Sequence, residues 1–385
     1  MYPIKKLQDC ATIIAGQSPE SKYYNSTGEG IPFFQGKADF GELYPKVRVY
    51  CSSPTKIAQY NDILLSVRAP VGPTNLSPGT VCIGRGLAAI RPDDSLDLKY
   101  LLYYFRYFET QLSAKGTGTT FKAINQKLIK NLEIPIPPLN EQFRIVAHIE
   151  ELFSELDKAV DMLKTTKEQL AVYRQAVLKE IFDSVSTTSV HIKDVCLDIK
   201  VGIVIKPTQY YVSENGVPAF RNANVRRGYI NDTDWVMISK EGHQQNCRSE
   251  VHTNDVLISR SGANLGMASV VPARYNGYNA IDVVIAVPDI SKVIPEFLAQ
   301  YTNSPMGRAI VKKNERGAAQ GHLNVSAYAN LPIGVPDLQE QEKLVKQISD
   351  RLSVCDSIEK TVDTALAQAD AMRQSILKQA FEGKL

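Results

Sequence analysis

The sequence predicts a mixed α/β (α+β) chain of two globular domains, each followed by a long helix, the two helices pairing as an antiparallel coiled coil. Three observations predict it: an internal repeat at an offset of 199 residues, an apolar seam with heptad spacing in each copy, and two long stretches free of glycine and proline. The 385 residues, 44% of them apolar, exceed one ordinary domain and supply core for two or more.

The repeat comes first. Leu132 to Gln142 (LEIPIPPLNEQ) matches Leu331 to Gln341 (LPIGVPDLQEQ), and the offset then holds without a gap. Ile149 falls on Ile348, Asp157 on Asp356, Arg174 to Lys179 on Arg373 to Lys378, and Phe182 on Phe381. In the first copy Ile145, Ile149, Leu152, Leu156, Ala159, Leu163, Thr166, Leu170, Tyr173 and Val177 alternate spacings of four and three, which is a coiled-coil seam. The second copy places Leu344, Ile348, Arg351, Cys355, Ile358, Val362, Ala365, Ala369, Met372 and Ile376 on the same seam, weakened by two alanines and an arginine. Each stretch predicts a helix of about 44 residues and about 65 Å. The chain therefore divides into a first domain (1–137), a helical region (138–183), a Ser/Thr-rich linker (184–190), a second domain (191–336) and a closing helix (337–385). An antiparallel pair would relate the halves by a pseudo-twofold axis, which is also the symmetry of duplex DNA.

The domains resemble one another more weakly. Ile4 to Leu7 matches Ile192 to Val195, Ile31 to Gln35 matches Val217 to Arg221, and Asp62 to Ser66 matches Asp255 to Ser259, each a short β-rich run ending in a polar loop. Gly118 falls on Gly317 and Asn125 on Asn324. One fold used twice with different loops is expected.

Composition excludes several classes of function. Six cysteines (Cys10, Cys51, Cys82, Cys196, Cys247, Cys355) lie singly, with neither zinc spacing nor a disulfide framework, and read as reduced, mostly buried thiols. The five histidines are isolated, so no metal is expected. No Gly-x-Ser-x-Gly, G-x-G-x-x-G or Asn-Pro-Pro-aromatic motif occurs, and Pro137-Pro138 follows Ile136, so catalysis in this chain is disfavoured. The N-terminus lacks an apolar leader and no run of about 18 apolar residues occurs, which predicts a soluble cytoplasmic protein. The net charge of +3 is small, but the helices carry −3 and the remaining residues +6, so the positive excess lies on the domains.

Ile134 to Gln142 (IPIPPLNEQ) and the closing Ile376 to Leu385 (ILKQAFEGKL) resemble the two repeated regions of the specificity subunits of type I restriction–modification enzymes, and Asp255 to Gly262 and Pro218 to Arg221 resemble strand-and-loop segments of that family's target-recognition domains. The resemblance spans the whole chain. It implies a non-catalytic subunit in which two target-recognition domains each read half of a split DNA target, while the helices set the gap and dock two methyltransferase subunits. Restriction or translocase subunits would join that core, and adenine methylation with S-adenosylmethionine would belong to the partner.

Reading DNA needs donors and acceptors that match base edges, beside Lys, Arg, Ser and Thr that hold phosphates. In the first domain Gln35, Lys37, Arg68 and the stretch Lys115 to Lys122, with Thr117 and Thr119, offer these groups. In the second domain Arg221, Asn222, Asn224, Arg226, Arg227, Arg260, Arg316, Gln320 and His322 are the counterparts. The 115–122 stretch lacks the G-x-x-x-x-G-K-[ST] spacing and suits DNA phosphate better than a nucleotide. A free-standing DNA-binding regulator and a coiled-coil scaffold are the competing readings; co-purification with methyltransferase chains separates them from the first.

Overall fold

Ile63–Ser66 and Val256–Ser259 are four-residue strands buried along their whole length, as expected of β-branched and aliphatic runs sealed on both faces. Each is an inner strand of a four-stranded antiparallel sheet. In the first domain the order is Ala11–Ala15, Leu87–Pro92, Ile63–Ser66, Thr74–Leu76. In the second it is Cys196–Val201, Val283–Pro288, Val256–Ser259, Ala268–Val270, the same order. Each domain has a second sheet, five-stranded in the first, with Ile31–Phe34 at its centre, and four-stranded in the second, with Val217–Phe220 an inner strand. Both of these strands share one burial pattern and end in a sealed phenylalanine, Phe34 or Phe220. The computed structural model describes residues 2–117, 122–185, 187–314 and 322–384.

The match of Ile4 with Ile192 does not hold. Ile4 is 61% exposed on the strand Ile4–Lys6, whose equivalent is Ser189–His191. The true partner of Ile192 is Leu7: both are fully buried, and their amides donate to the carbonyls of Leu331 and Leu132 respectively. The matched motifs Ile-Lys-Lys-Leu and Ile-Lys-Asp-Val, apolar at both ends, gave the wrong register: Ile4 opens a strand, whereas Ile192, like Leu7, opens the helical turn after it.

The long helices run Leu139–Asp183 and Leu338–Phe381. The compact units cut across them: one comprises residues 1–163 and 364–385, the other residues 164–363. Each unit thus holds a globular domain, the start of the helix that follows it, and the end of the other helix. In the first unit Ile145, Ile149 and Phe153 enter the domain core together with Ile376, Leu377 and Ala380. In the second, Leu344 and Ile348 do so together with Val177, Leu178, Ile181 and Phe182.

Within each unit the two helical segments run antiparallel. In the second, Lys167 pairs with Asp363 at 2.6 Å, Arg174 with Asp356 at 2.6 Å and Glu359 at 2.9 Å, and Arg351 with Glu180 at 3.0 Å, so advance along one helix is retreat along the other. In the first, Arg373 bonds Asp157. Burial along the seam is uneven. Ile145, Ile149, Val177, Leu344, Ile348, Cys355, Val362, Ala369 and Ile376 are buried, whereas Ala159, Tyr173, Ile358 and Met372 are exposed. A lone helix pair covers only a narrow stripe, and the buried ends are those also covered by a domain. Arg351 fits the seam because its guanidinium lies 5.8 Å from the Tyr173 ring centre and forks onto the Glu180 carboxylate.

Repeated positions repeat their contacts. Gln142 and Gln341, both fully buried, each make three hydrogen bonds. Gln142 accepts from the Asp97 amide (2.7 Å) and donates to the carbonyls of Ser95 and Pro137; Gln341 accepts from the Ile294 amide (2.8 Å) and donates to Lys292 and Pro336. The final Glu-Gln of the repeat therefore pins each long helix to its own domain. Asn125 and Asn324 cap short helices by accepting from Leu128 N and Ser326 N.

Candidate nucleic-acid interface

In the first unit three loops meet at the ends of the strands. Gln35 and Lys37 follow Ile31–Phe34, Arg68 follows Ile63–Ser66, and Arg85 lies in the turn between Val81–Ile83 and Leu87–Pro92. Backbone bonds lock them: the Gly84 amide donates to Phe34 O at 2.8 Å and the Val67 amide to Gly86 O at 2.9 Å. Gly86, which follows Arg85, is required by close approach, since a Cβ there would lie 2.2 Å from Gln35 O; at Gly84 the nearest atoms would be 3.2 Å away, a tight but adjustable fit. Asp39 steadies the Gln35 loop by accepting its amide proton at 2.8 Å.

The result is a groove of about 710 Å³ lined by Gln35, Lys37, Arg68 and Arg85, with Tyr24 and Phe33 beneath them, their ring centres 4.7 Å apart. All four polar side chains are exposed, and none of the three cations has a carboxylate partner among the described residues. Thr117 and Lys122 lie close to the same groove: Thr117 and Ala123 exchange two backbone hydrogen bonds, and the Ala69 amide donates to Lys122 O at 3.0 Å. Lys122 and Thr117 are thus held beside Arg68, and Lys115 lies 5.2 Å from the Phe108 ring centre. Thr119 and Gly118 lie outside the described residues, as do Arg316, Gly317 and Gln320.

The corresponding face of the second unit is internally bonded. Arg260 donates to the Asp282 carboxylate at 2.8 Å and to Leu323 O at 3.0 Å; Arg221 donates to both the carbonyl and the carboxylate of Asp234. Asn222 accepts from the Arg260 amide and the Ser259 hydroxyl and donates to Ser261 Oγ, so it organises the loop. Asn224 is not a surface group: it is fully buried, accepting from the Arg221 amide and donating to the carbonyls of Asn231 and Thr233. A sealed amide with three partners fixes a loop and has no edge left to offer. Arg226 and Arg227 face elsewhere, into a cleft of about 500 Å³ that Arg174, Asp356 and Glu359 of the helices also line. Burial, followed by the Arg174 charge, lowers the Arg227 pKa. His322 is exposed beside Leu323, the residue that Arg260 holds. No group of three His, Cys, Asp or Glu suited to a metal occurs among the described residues.

The family model for the type I restriction modification DNA specificity domain matches residues 2–171 and 178–368, one copy on each half. The chain belongs to that family. The MjaX type I restriction enzyme specificity subunit of Methanocaldococcus jannaschii is 40% identical over 182 residues, covering 47% of this chain and 41% of that one. This chain therefore aligns with less than half the length of that relative. The EcoBI specificity subunit of Escherichia coli is 25% identical over 317 residues, covering 76% of this chain and 67% of that one. The crystal structure of the HsdS subunit from Thermoanaerobacter tengcongensis aligns at 50% identity over 40% of this chain and 37% of that one, with a TM-score of 0.37.

For a type I specificity domain the groove of the first unit is more complete than its sequence suggests. Arg85 was missed because a lone arginine between two glycines reads as an ordinary turn. The signal that finds it is structural equivalence: Phe34 pairs with Ile83 and Phe220 with Ala280, both in parallel, so the turn carrying Arg85 in one domain carries Asp282 in the other.

Proposed function

We propose that this chain is the non-catalytic DNA-reading subunit of a type I restriction–modification enzyme, each domain reading one half of a bipartite target. The observation that carries the reading is the specificity-domain match on both halves of the chain. Polar loop ends gathered at the sheet edges support it. In the first domain Gln35, Lys37 and Arg68 face bases while Lys115, Thr117 and Lys122 hold phosphates. In the second, Arg221, Arg260 and His322 take those roles, with Asn222 setting their loop. The long helices space the two readers and dock two methyltransferase subunits, which bind S-adenosylmethionine and methylate adenine; restriction or translocase subunits join the same core. The complex works in the cytoplasm, and no described helix is long and apolar enough to cross a membrane.

Exchange of domains tests this. Replacing residues 1–137 with the first domain of another family member should alter one half of the methylated motif, read by sequencing modified bases, and leave the other half unchanged. A change in both halves overturns the two-reader scheme. The isolated chain should show no methyl transfer and no appreciable heat on titration with S-adenosylmethionine.

A further inference from the structure

Two arginines share one groove, and among the described residues neither forms an ion pair, Asp39 of the lining being bonded to the Gln35 amide instead; this restricts what the groove can recognise. Arg68 and Arg85 lie on separate loops joined through the Val67–Gly86 hydrogen bond, over a floor that includes Phe33. An arginine side chain is five donors in a planar fork and offers no acceptor, so its complement is a pair of acceptors side by side. In the major groove only guanine presents two adjacent acceptors, N7 and O6, whereas adenine, cytosine and thymine interpose a donor or a methyl group. Phosphate also offers paired acceptors, but Lys122, held beside Arg68 through the Ala69–Lys122 backbone bond, supplies a point charge suited to a backbone and indifferent to sequence. The position of Arg85 is also built: Gly86 lets its turn pack against the Gln35 carbonyl, where a Cβ would lie 2.2 Å from the oxygen. The same turn of the second domain presents the Asp282 carboxylate, already bound by Arg260, so an arginine at this turn belongs to the first domain.

We propose that Arg85, together with Arg68, determines specificity by reading guanine in the half-site contacted by the first domain. The proposal rests on the DNA-reading function above and adds to it a residue and a base.

The complex isolated through a tag on the full chain is used to select from a random-sequence duplex library. The wild type should enrich a two-part motif. Arg85→Ala should erase the preference at one G·C pair in one half and leave the other half and the gap unchanged; Arg68→Ala should erase a second G·C pair of the same half. Placing 7-deazaguanine at the first position, which removes the N7 acceptor alone, should weaken wild-type binding roughly tenfold and leave Arg85→Ala unaffected. Arg85→Lys, which keeps the charge and loses the fork, should retain overall affinity while losing the guanine preference. Several outcomes overturn the proposal: a uniform loss across all sequences with a shallower salt dependence, which marks a phosphate contact; loss of preference at an A·T pair; or no response to 7-deazaguanine. If the wild-type complex enriches no motif, the DNA-reading function fails and this proposal with it, a result distinct from a motif that ignores Arg85.

Discussion

The two units share a frame and differ at its ends. Both anchor a long helix through a buried glutamine with the same three-bond pattern, and both keep one strand order around an inner strand directly preceded by an aspartate. Tyr104 and Tyr301, at matching places, each donate to the carbonyl of the matching residue in the strand before the helix, Glu133 and Pro332. The aspartates then diverge. Asp62 and Asp255 each accept an amide three residues back, but Asp62 also receives a two-pronged salt bridge from Arg91, at 2.7 and 2.8 Å, whereas Asp255 has no arginine. Where Arg91 stands in the first unit, the second has Val287. The difference teaches that backbone-satisfying groups are what two domains with one fold must keep, while charges are free to move between the frame and the surface. Among the described residues, the loop-end arginines of the first unit are left open and its frame aspartate is held by an arginine; in the second the loop-end arginines are paired and the frame aspartate faces only His252, at 3.9 Å.

The largest effect that could break this equivalence is at the crossing of the chains. Phe182 packs edge-on against Phe297 and Tyr301 at 5.3 and 5.4 Å and is nearly fully buried. Phe381 occupies the matching place against Tyr100, Tyr104 and Tyr107 but is only half-buried. Phe182→Ala should cost about 3–5 kcal/mol in urea unfolding and Phe381→Ala about 2–3 kcal/mol. A reversed order would show that the two plugs are not equivalent.

Next come the glutamines. Gln142→Leu and Gln341→Leu each strand one amide and two carbonyls in the core, which should cost about 2–4 kcal/mol. The comparison predicts equal losses; a difference above about 2 kcal/mol would mean that one of the two anchors is relieved by solvent or rearrangement.

The aspartates should separate the units. Asp62→Asn removes the carboxylate that holds Arg91 and should destabilise by about 1–3 kcal/mol. Asp255→Asn keeps an oxygen for the His252 amide and should be neutral or stabilising at pH 7. Burial raises the Asp255 pKa above its usual range. The folded state therefore holds that proton more tightly than the unfolded chain, so this group favours folding at low pH and its contribution is lost as pH rises from the ordinary carboxylate range through the raised value. Asp255→Asn should abolish that slope in a plot of unfolding free energy against pH. An unchanged slope would assign it to another group.

Much of this was readable from the residues, because repetition and apolar spacing are properties of the chain itself. The Leu132 to Gln142 repeat located both helix starts, and Asp62 to Ser66 and Asp255 to Ser259 marked two short β-strands. What was not readable depends on where loops meet. Asn224 and Arg227 look alike as polar loop residues, yet one is sealed under the loop and the other lines the cleft shared with the helices. Nor does spacing reveal that Arg85, 17 residues after Arg68, shares its groove, because the link is the Val67–Gly86 hydrogen bond between strand ends.

The smallest expected effect tests the helices, one position in each unit. A strict heptad assigns Ile358 and Met372 to the seam, where a buried lysine ammonium would be costly. In the structure both are exposed, at 41% and 53%, while the neighbours Val362 and Ile376 one turn on are buried at 4% and 8%. The stripe that meets the other helix therefore drifts away from the ideal seam at these two turns, as expected where 3.6 residues per turn is not drawn to a repeat of 3.5 by a long unbroken supercoil. Lysine at an exposed helix site has good propensity and can keep its stem on the apolar edge with its ammonium in water. Ile358→Lys and Met372→Lys should each change the unfolding free energy by no more than about 0.5 kcal/mol. Helical circular dichroism should be unaltered. A loss above about 2 kcal/mol at either position would show that the seam there follows the heptad after all, and a loss at only one would mean that the two units hold their helices differently.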